Sequence, residues 1–152
     1  MKRLRPVIAI VLLTFFGSSV AALAAGPQSD IVFILSKDQA ATRVDEALLR
    51  NIYLGKASFW PDGSPINAYG RPLDSPAGLS FLKLVARMTP VRFKHHWAGL
   101  KLSGQAMDIA VVGDTHQLGA RVAANKGSIG YLLTSEAQGL DKNQVRVVTL
   151  AL

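Results

Sequence analysis

The fold is decided by the segment Ile52-Tyr-Leu-Gly-Lys-Ala-Ser-Phe-Trp-Pro-Asp-Gly-Ser-Pro-Ile-Asn-Ala-Tyr-Gly-Arg71-Pro-Leu-Asp-Ser75-Pro76. It ends at Ser75-Pro76, a capping hydroxyl followed by proline at the first helical position. A helix N-terminus has backbone N–H groups without intrahelical partners and a partial positive charge, so it favours anions. Arg71, four residues earlier, adds a fork of donors that stays charged. The segment therefore predicts an anion site at this helix start.

Two amphipathic helices follow the segment. Phe81, Leu84, Val85 and Met88 recur at the spacing of one helix face, and Thr89-Pro90 repeats the helix-start signal. Because each helix has one apolar face, both are expected to pack on a core. The side chains expected to be buried, here and in a later helix, are Phe81, Val85, Phe93, Trp97, Leu118 and Val122.

Strand and helix signals alternate along the rest of the chain. Further helices are predicted near Thr42 and Asp114, ended by Gly55 and Gly127, and residues 109–112 fit either a strand or a buried extended segment. Strands interleaved with helices predict an α/β layer fold. The predicted strands cover residues 31–35, 129–133 and 145–150, and residues 65–69 are short and extended.

The first 24 residues have the three parts of a secretory signal peptide. Lys2, Arg3 and Arg5 precede the apolar run 7–16, and small residues lead to an Ala-Leu-Ala end at Ala24. A membrane anchor is the alternative, but ten strongly apolar residues fall short of the roughly twenty that a spanning helix needs. We therefore expect export to the periplasm, cleavage after Ala24, no membrane anchor, and one domain over residues 25–152.

Charge and composition exclude several classes of protein. Without the predicted leader the chain keeps 14 basic and 10 acidic residues, a net charge of +4 (14 − 10). The basic residues are scattered, which gives no support for nucleic-acid binding. The absence of cysteine excludes disulfides and thiol chemistry.

Catalytic and metal-binding patterns are absent from the sequence. There is no nucleophile elbow and no zinc-protease motif, so we expect no enzyme and no cofactor. His95 and His96 are adjacent and do not share a helix face, which argues against a metal site.

Several of these segments together resemble the PstS-like family of periplasmic phosphate-binding proteins. They are Arg50-Asn-Ile-Tyr-Leu-Gly-Lys56, Trp60-Pro-Asp-Gly63, Arg71 with Asp74-Ser75, Phe81, Trp97, Gly104 and Val122-Ala-Ala-Asn-Lys-Gly-Ser-Ile-Gly-Tyr131. The resemblance runs from about Ile31 to Leu133. Members of that family have two lobes that close on the ligand, and this chain is about half as long. The resemblance thus implies a single-lobe, three-layer α/β domain of the type II periplasmic-binding-protein kind.

The resemblance also implies a ligand site. The family's phosphate loop has an arginine followed by Ser-Gly-Thr at a helix start. Arg71 and Ser75 match the arginine and the serine, whereas Pro76-Ala77 replaces Gly-Thr. The implied ligand-binding residues are Arg71, Asp74, Ser75 and Ala77, and the implied ligand is phosphate or a similar oxyanion.

Plainer interpretations of the same residues stay open. Ser75 could serve only as a helix cap, and Arg71 could simply pair with Asp74 or with a C-terminal carbonyl. The chain would then be a scaffold that has lost its ligand and binds a periplasmic or membrane protein. The sequence also leaves open whether two copies form a homodimer.

Overall fold

The computed structural model describes residues 30–40, 44–105 and 108–150. The predicted leader and Thr42 lie outside these ranges. The strands are β1 (Ile31–Ser36), β2 (Asn67–Gly70), β3 (Ala110–Val111), β4 (Ser128–Leu133) and β5 (Val145–Thr149). The helices are α1 (Glu46–Tyr53), α2 (Pro76–Phe81), α3 (Pro90–Leu102), α4 (Thr115–Ala124) and α5 (Thr134–Ala137), and a π-helical turn (Leu82–Ala86) follows α2 directly.

The five strands form one mixed sheet in the order β3-β2-β4-β1-β5. Strand β2 runs parallel to both β3 and β4, whereas β1 is antiparallel to its neighbours β4 and β5. The carboxyl ends of β2, β3 and β4 therefore meet at one edge of the sheet. In open α/β sheets, ligands bind in the crevice outside such ends.

Side chains alternate along β1 between two separate cores. Ile31, Phe33 and Leu35 pack with α1, α2 and α3, whereas Val32 and Ile34 pack with α4 and α5 on the opposite face. The uninterrupted apolar run of β1 is explained by this burial on both faces. The predicted three-layer α/β domain is confirmed, and so is the burial of Phe81, Val85, Phe93, Trp97, Leu118 and Val122.

Three predicted helix starts are confirmed by their caps. The side chains of Ser75, Thr89 and Asp114 each accept a hydrogen bond from the backbone N–H three residues later. The first helix is Glu46–Tyr53, and the carboxylate of Asp45 accepts its capping bond, at 2.7 Å. Within the described ranges, no helix is long and apolar enough to cross a bilayer.

Two of the segments that carry the resemblance meet in space. The indole N–H of Trp60 donates to the carbonyl oxygen of Gly127 at 2.9 Å, and Trp60 is buried. Gly127 has φ +76°, and a Cβ there would lie 2.2 Å from the carbonyl oxygen of Pro65. Only glycine permits both this backbone conformation and this close approach.

A comparison of two helical glycines tests the packing of the loop before α2. A Cβ on Gly78 would lie 2.1 Å from the carbonyl oxygen of Pro72, whereas nothing lies within 4 Å of one on Gly99. We expect Gly78→Ala to lower the free energy of unfolding by about 1–3 kcal/mol through overpacking. Gly99→Ala should raise it by about 0.5–1 kcal/mol, because alanine favours the helix. Urea denaturation of both variants measures this, and equal effects would contradict the packing described.

Candidate functional site

Arg71 lies where the carboxyl ends of the three parallel strands meet. It follows β2 directly, while Val112 follows β3, and Glu136 lies on α5 just after β4. The side chain of Arg71 is only 6% exposed. A guanidinium buried to this extent must find acceptors or an anion, because an isolated charge in the interior is strongly destabilising.

Two of the three guanidinium nitrogens of Arg71 donate hydrogen bonds. Nη2 donates to Oε1 of Glu136 at 2.7 Å, and Nη1 donates to the carbonyl oxygen of Val112 at 3.3 Å. Nε is buried and finds no acceptor among the described residues. The carboxylate that pairs with Arg71 is therefore that of Glu136 and not that of Asp74.

The carboxylate of Glu136 accepts hydrogen bonds from three kinds of donor. Besides the Arg71 bond, Oε1 accepts from the hydroxyl of Thr115 at 3.1 Å. The second oxygen, Oε2, accepts from the backbone N–H of Leu133 at 2.9 Å. A guanidinium, a hydroxyl and a backbone N–H are the donors with which proteins bind oxyanions.

Tyr131 holds the backbone of Arg71 in place. Its hydroxyl oxygen accepts from the backbone N–H of Arg71 at 3.1 Å, and its O–H points back to the Arg71 carbonyl oxygen at 3.5 Å. The ring stacks on Phe81, with centroids 4.3 Å apart. Burial raises the pKa of Tyr131 to about 12, although the hydrogen bond from Arg71 and its charge act in the opposite direction. The phenol therefore stays protonated at neutral pH.

The other three predicted site residues lie in the loop and first turn that follow Arg71. The hydroxyl of Ser75 donates to the carbonyl oxygen of Pro72 at 2.6 Å and accepts from the N–H of Gly78 at 3.1 Å. Asp74 is exposed and Ala77 is buried. Ser75 is thus engaged as a helix cap, and the charged part of the site is formed by Arg71 with residues from β4, α4 and α5.

Three residues of this cluster, Thr115, Tyr131 and Glu136, were not predicted as site residues. The sequence contained a signal for the position of Glu136. It stands at the third helical position after a buried strand, where a glutamate commonly accepts a hydrogen bond from the backbone N–H of the N-cap residue. Its distance from Arg71 could not be predicted, because it depends on β2 and β4 being neighbours in the sheet.

Two cavities are relevant to the choice of site. Arg71 lines a cavity of about 160 Å³ together with aromatic and aliphatic side chains and the charged residues Lys101 and Asp108. A larger cavity of about 530 Å³ lies against β5 and α5 and is lined by Lys37, Lys142 and Arg146. The candidate site is the one beside Arg71, because the Arg71 side chain is buried, whereas Lys37 and Lys142 are exposed.

The described residues include no group of three or more His, Asp or Glu side chains that could hold a metal ion. His96 contacts the carbonyl oxygen of Leu54 through Nε2 at 2.8 Å, and His95 is exposed. The two histidines therefore have separate surroundings.

Comparison with solved structures shows which fold the chain has. It is the fold of one part of the substrate-binding proteins of phosphate transporters. The chain is similar to PstS from Borrelia burgdorferi, with a TM-score of 0.62 and 18% identity over 80% of this chain and 47% of that one. It is also similar to an ABC-type phosphate transport receptor from Vibrio cholerae, with a TM-score of 0.58 and 17% identity over 78% and 45% of the two chains. The chain thus spans less than half the length of these proteins. No family model and no curated protein sequence matches it.

The raised pKa of Tyr131 predicts a loss of stability in alkali. The unfolded chain loses this proton near pH 10 and the folded chain near pH 12, so the stabilisation is complete below pH 10 and is lost as pH rises to 12. Titration of Tyr131 should lower the free energy of unfolding by roughly 2–3 kcal/mol over that pH range. In Tyr131→Phe the free energy of unfolding should fall less steeply as the pH rises, which urea unfolding at several pH values measures. Tyr69→Phe, which removes a partly exposed phenol, is the control, and equal slopes for wild type and Tyr131→Phe would contradict the account.

Proposed function

We propose that this chain is an exported, periplasmic solute-binding protein of one lobe, which binds phosphate or a related oxyanion weakly near Arg71 and Ser75. The observation that carries the proposal is the buried guanidinium of Arg71, which lies at the carboxyl edge of the parallel strands and whose Nε finds no acceptor among the described residues. Similarity in fold to phosphate-binding proteins supports it.

The local charge balance favours an anion. Asp74 is the only acidic residue between positions 64 and 107, a range that contains six lysines and arginines. Thr115 begins α4, so its hydroxyl and the positive end of that ten-residue helix lie beside the Arg71 cluster. This stretch of the chain therefore favours an anion, although Glu136 pairs with Arg71 and Asp108 lines the same cavity.

We expect the affinity to be low for two reasons. The guanidinium is already paired with Glu136, and Ser75 and Gly78 are already bonded to each other. A lone lobe also leaves one side of the anion hydrated. We expect a dissociation constant of roughly micromolar to millimolar, which corresponds to about −8 to −4 kcal/mol.

Binding in this proposal involves no catalysis and no cofactor. The cluster contains a guanidinium, a carboxylate, hydroxyls and backbone N–H groups, which suffice to hold an anion. Export rests on the leader of residues 1–24, and Ala25 would be the first residue of the processed chain.

A second candidate function is favoured by the same ion pair. Because Glu136 neutralises Arg71, the lobe could serve as a rigid scaffold for a periplasmic or membrane protein without binding any solute. A homodimer that covers the Arg71 edge would be compatible with either function. The two candidates differ in whether oxyanions perturb this edge.

An NMR titration with phosphate and sulfate tests the proposal. We expect the amide signals of residues 71–78 to shift in the wild type at millimolar phosphate. Arg71→Lys keeps the charge but loses the guanidinium fork, so it should weaken binding by about tenfold or more. Arg87→Lys is the matched control, because Arg87 also pairs with a glutamate, Glu46, but on the surface.

Unmoved signals for residues 71–78 in the wild type would contradict oxyanion binding and favour the scaffold. Equal affinities of Arg71→Lys and wild type would mean that the anion binds elsewhere.

A further inference from the structure

The surroundings of the Glu136 carboxylate are those of a bound oxyanion. Its two oxygens receive a guanidinium N–H, a hydroxyl and a backbone N–H, at 2.7, 3.1 and 2.9 Å. These donors come from three different parts of the chain, namely Arg71 after β2, Thr115 on α4 and Leu133 at the end of β4. They converge on a position where one carboxylate is bound.

The way Glu136 is attached allows its carboxylate to leave. Its side chain is 25% exposed, in contrast to the 6% of Arg71. It belongs to α5, a helix of only four residues whose following residues, Gln138 and Gly139, are exposed. The guanidinium of Arg71 is thus held in the interior, whereas its acceptor, Glu136, is a partly exposed side chain on a short helix.

The unpaired Nε of Arg71 indicates that Glu136 fills the site incompletely. This N–H is buried and has no acceptor in the described part of the chain, and a carboxylate has only two oxygens. A tetrahedral oxyanion has up to four oxygens, so it can accept from more donors at once.

We propose that the carboxylate of Glu136 is a tethered internal ligand that competes with free oxyanions for Arg71 and Thr115. In the resting protein it occupies the donors, and a bound phosphate would replace it while the Glu136 side chain turns into solvent. This competition rests on the proposed oxyanion binding. It makes Glu136 the residue that sets the affinity of the site.

Isothermal titration calorimetry with inorganic phosphate tests the competition. Glu136→Gln keeps the shape of the side chain and removes its charge, so the phosphate dissociation constant should fall about tenfold or more relative to wild type. Glu46→Gln removes the same charge from the exposed Arg87–Glu46 pair, which also has an N–O distance of 2.7 Å. It should leave the dissociation constant within about twofold of the wild-type value, because surface ion pairs contribute little.

A second arm uses formate in place of phosphate. Glu136→Ala removes the whole carboxylate, and free formate should then occupy its place. We expect sodium formate to raise the melting temperature of Glu136→Ala more than sodium chloride at equal ionic strength, with no such difference for wild type or Glu46→Ala.

The outcomes separate the two proposals. Equal phosphate affinity of wild type and Glu136→Gln would overturn the competition and leave oxyanion binding intact. Phosphate binding to Glu136→Gln but not to wild type would support the competition. If phosphate binds none of the three proteins, the proposed function fails. The formate result then decides whether Glu136 is a tethered ligand: specific rescue supports it, and no rescue overturns it.

Discussion

The ion pair between Arg71 and Glu136 is the interaction on which the carboxyl edge of the parallel strands depends. A guanidinium that is 6% exposed would be strongly destabilising without a partner. The pair also connects two strand ends, since Arg71 follows β2 and Glu136 follows β4. The bond to the carbonyl oxygen of Val112 connects the end of β3 as well.

A cluster of aromatic side chains in the core holds the backbone of Arg71 in position. Tyr131 bonds to the backbone of Arg71 and stacks on Phe81, which contacts Tyr53 and Phe93 edge to face. These rings belong to β4, α1, α2 and α3, so four elements pack around the tyrosine that bonds to Arg71. With helices packed on both faces of the sheet, the described residues provide two cores that support the edge.

Local signals were sufficient to predict most of the elements. Ser75, Thr89 and Asp114 cap helices as predicted, because a capping side chain and its N–H partner are only three residues apart. The apolar runs of β1 and β4 are also local properties. The π-helical turn had no such signal, and it ends at Arg87 in a left-handed conformation without a glycine.

The site could be predicted only in part, because it is assembled by sheet order. Arg71 was identified from its position before Ser75, but its partner lies 65 residues away in sequence. Nothing in the residues around Arg71 indicates that β4 is the neighbour of β2. The resemblance to phosphate-binding proteins predicted the fold. It did not predict Glu136 as a site residue, because the matching segments end near Leu133.

In this proposal Arg71 exchanges the carboxylate of Glu136 for a free oxyanion. Crystal structures of the wild-type protein, without phosphate and with phosphate far above its dissociation constant, test this most directly. The account predicts a tetrahedral anion within hydrogen-bonding distance of the Arg71 guanidinium and of the Thr115 hydroxyl, with the Glu136 side chain turned toward solvent. An unchanged Arg71–Glu136 pair in saturating phosphate would contradict it.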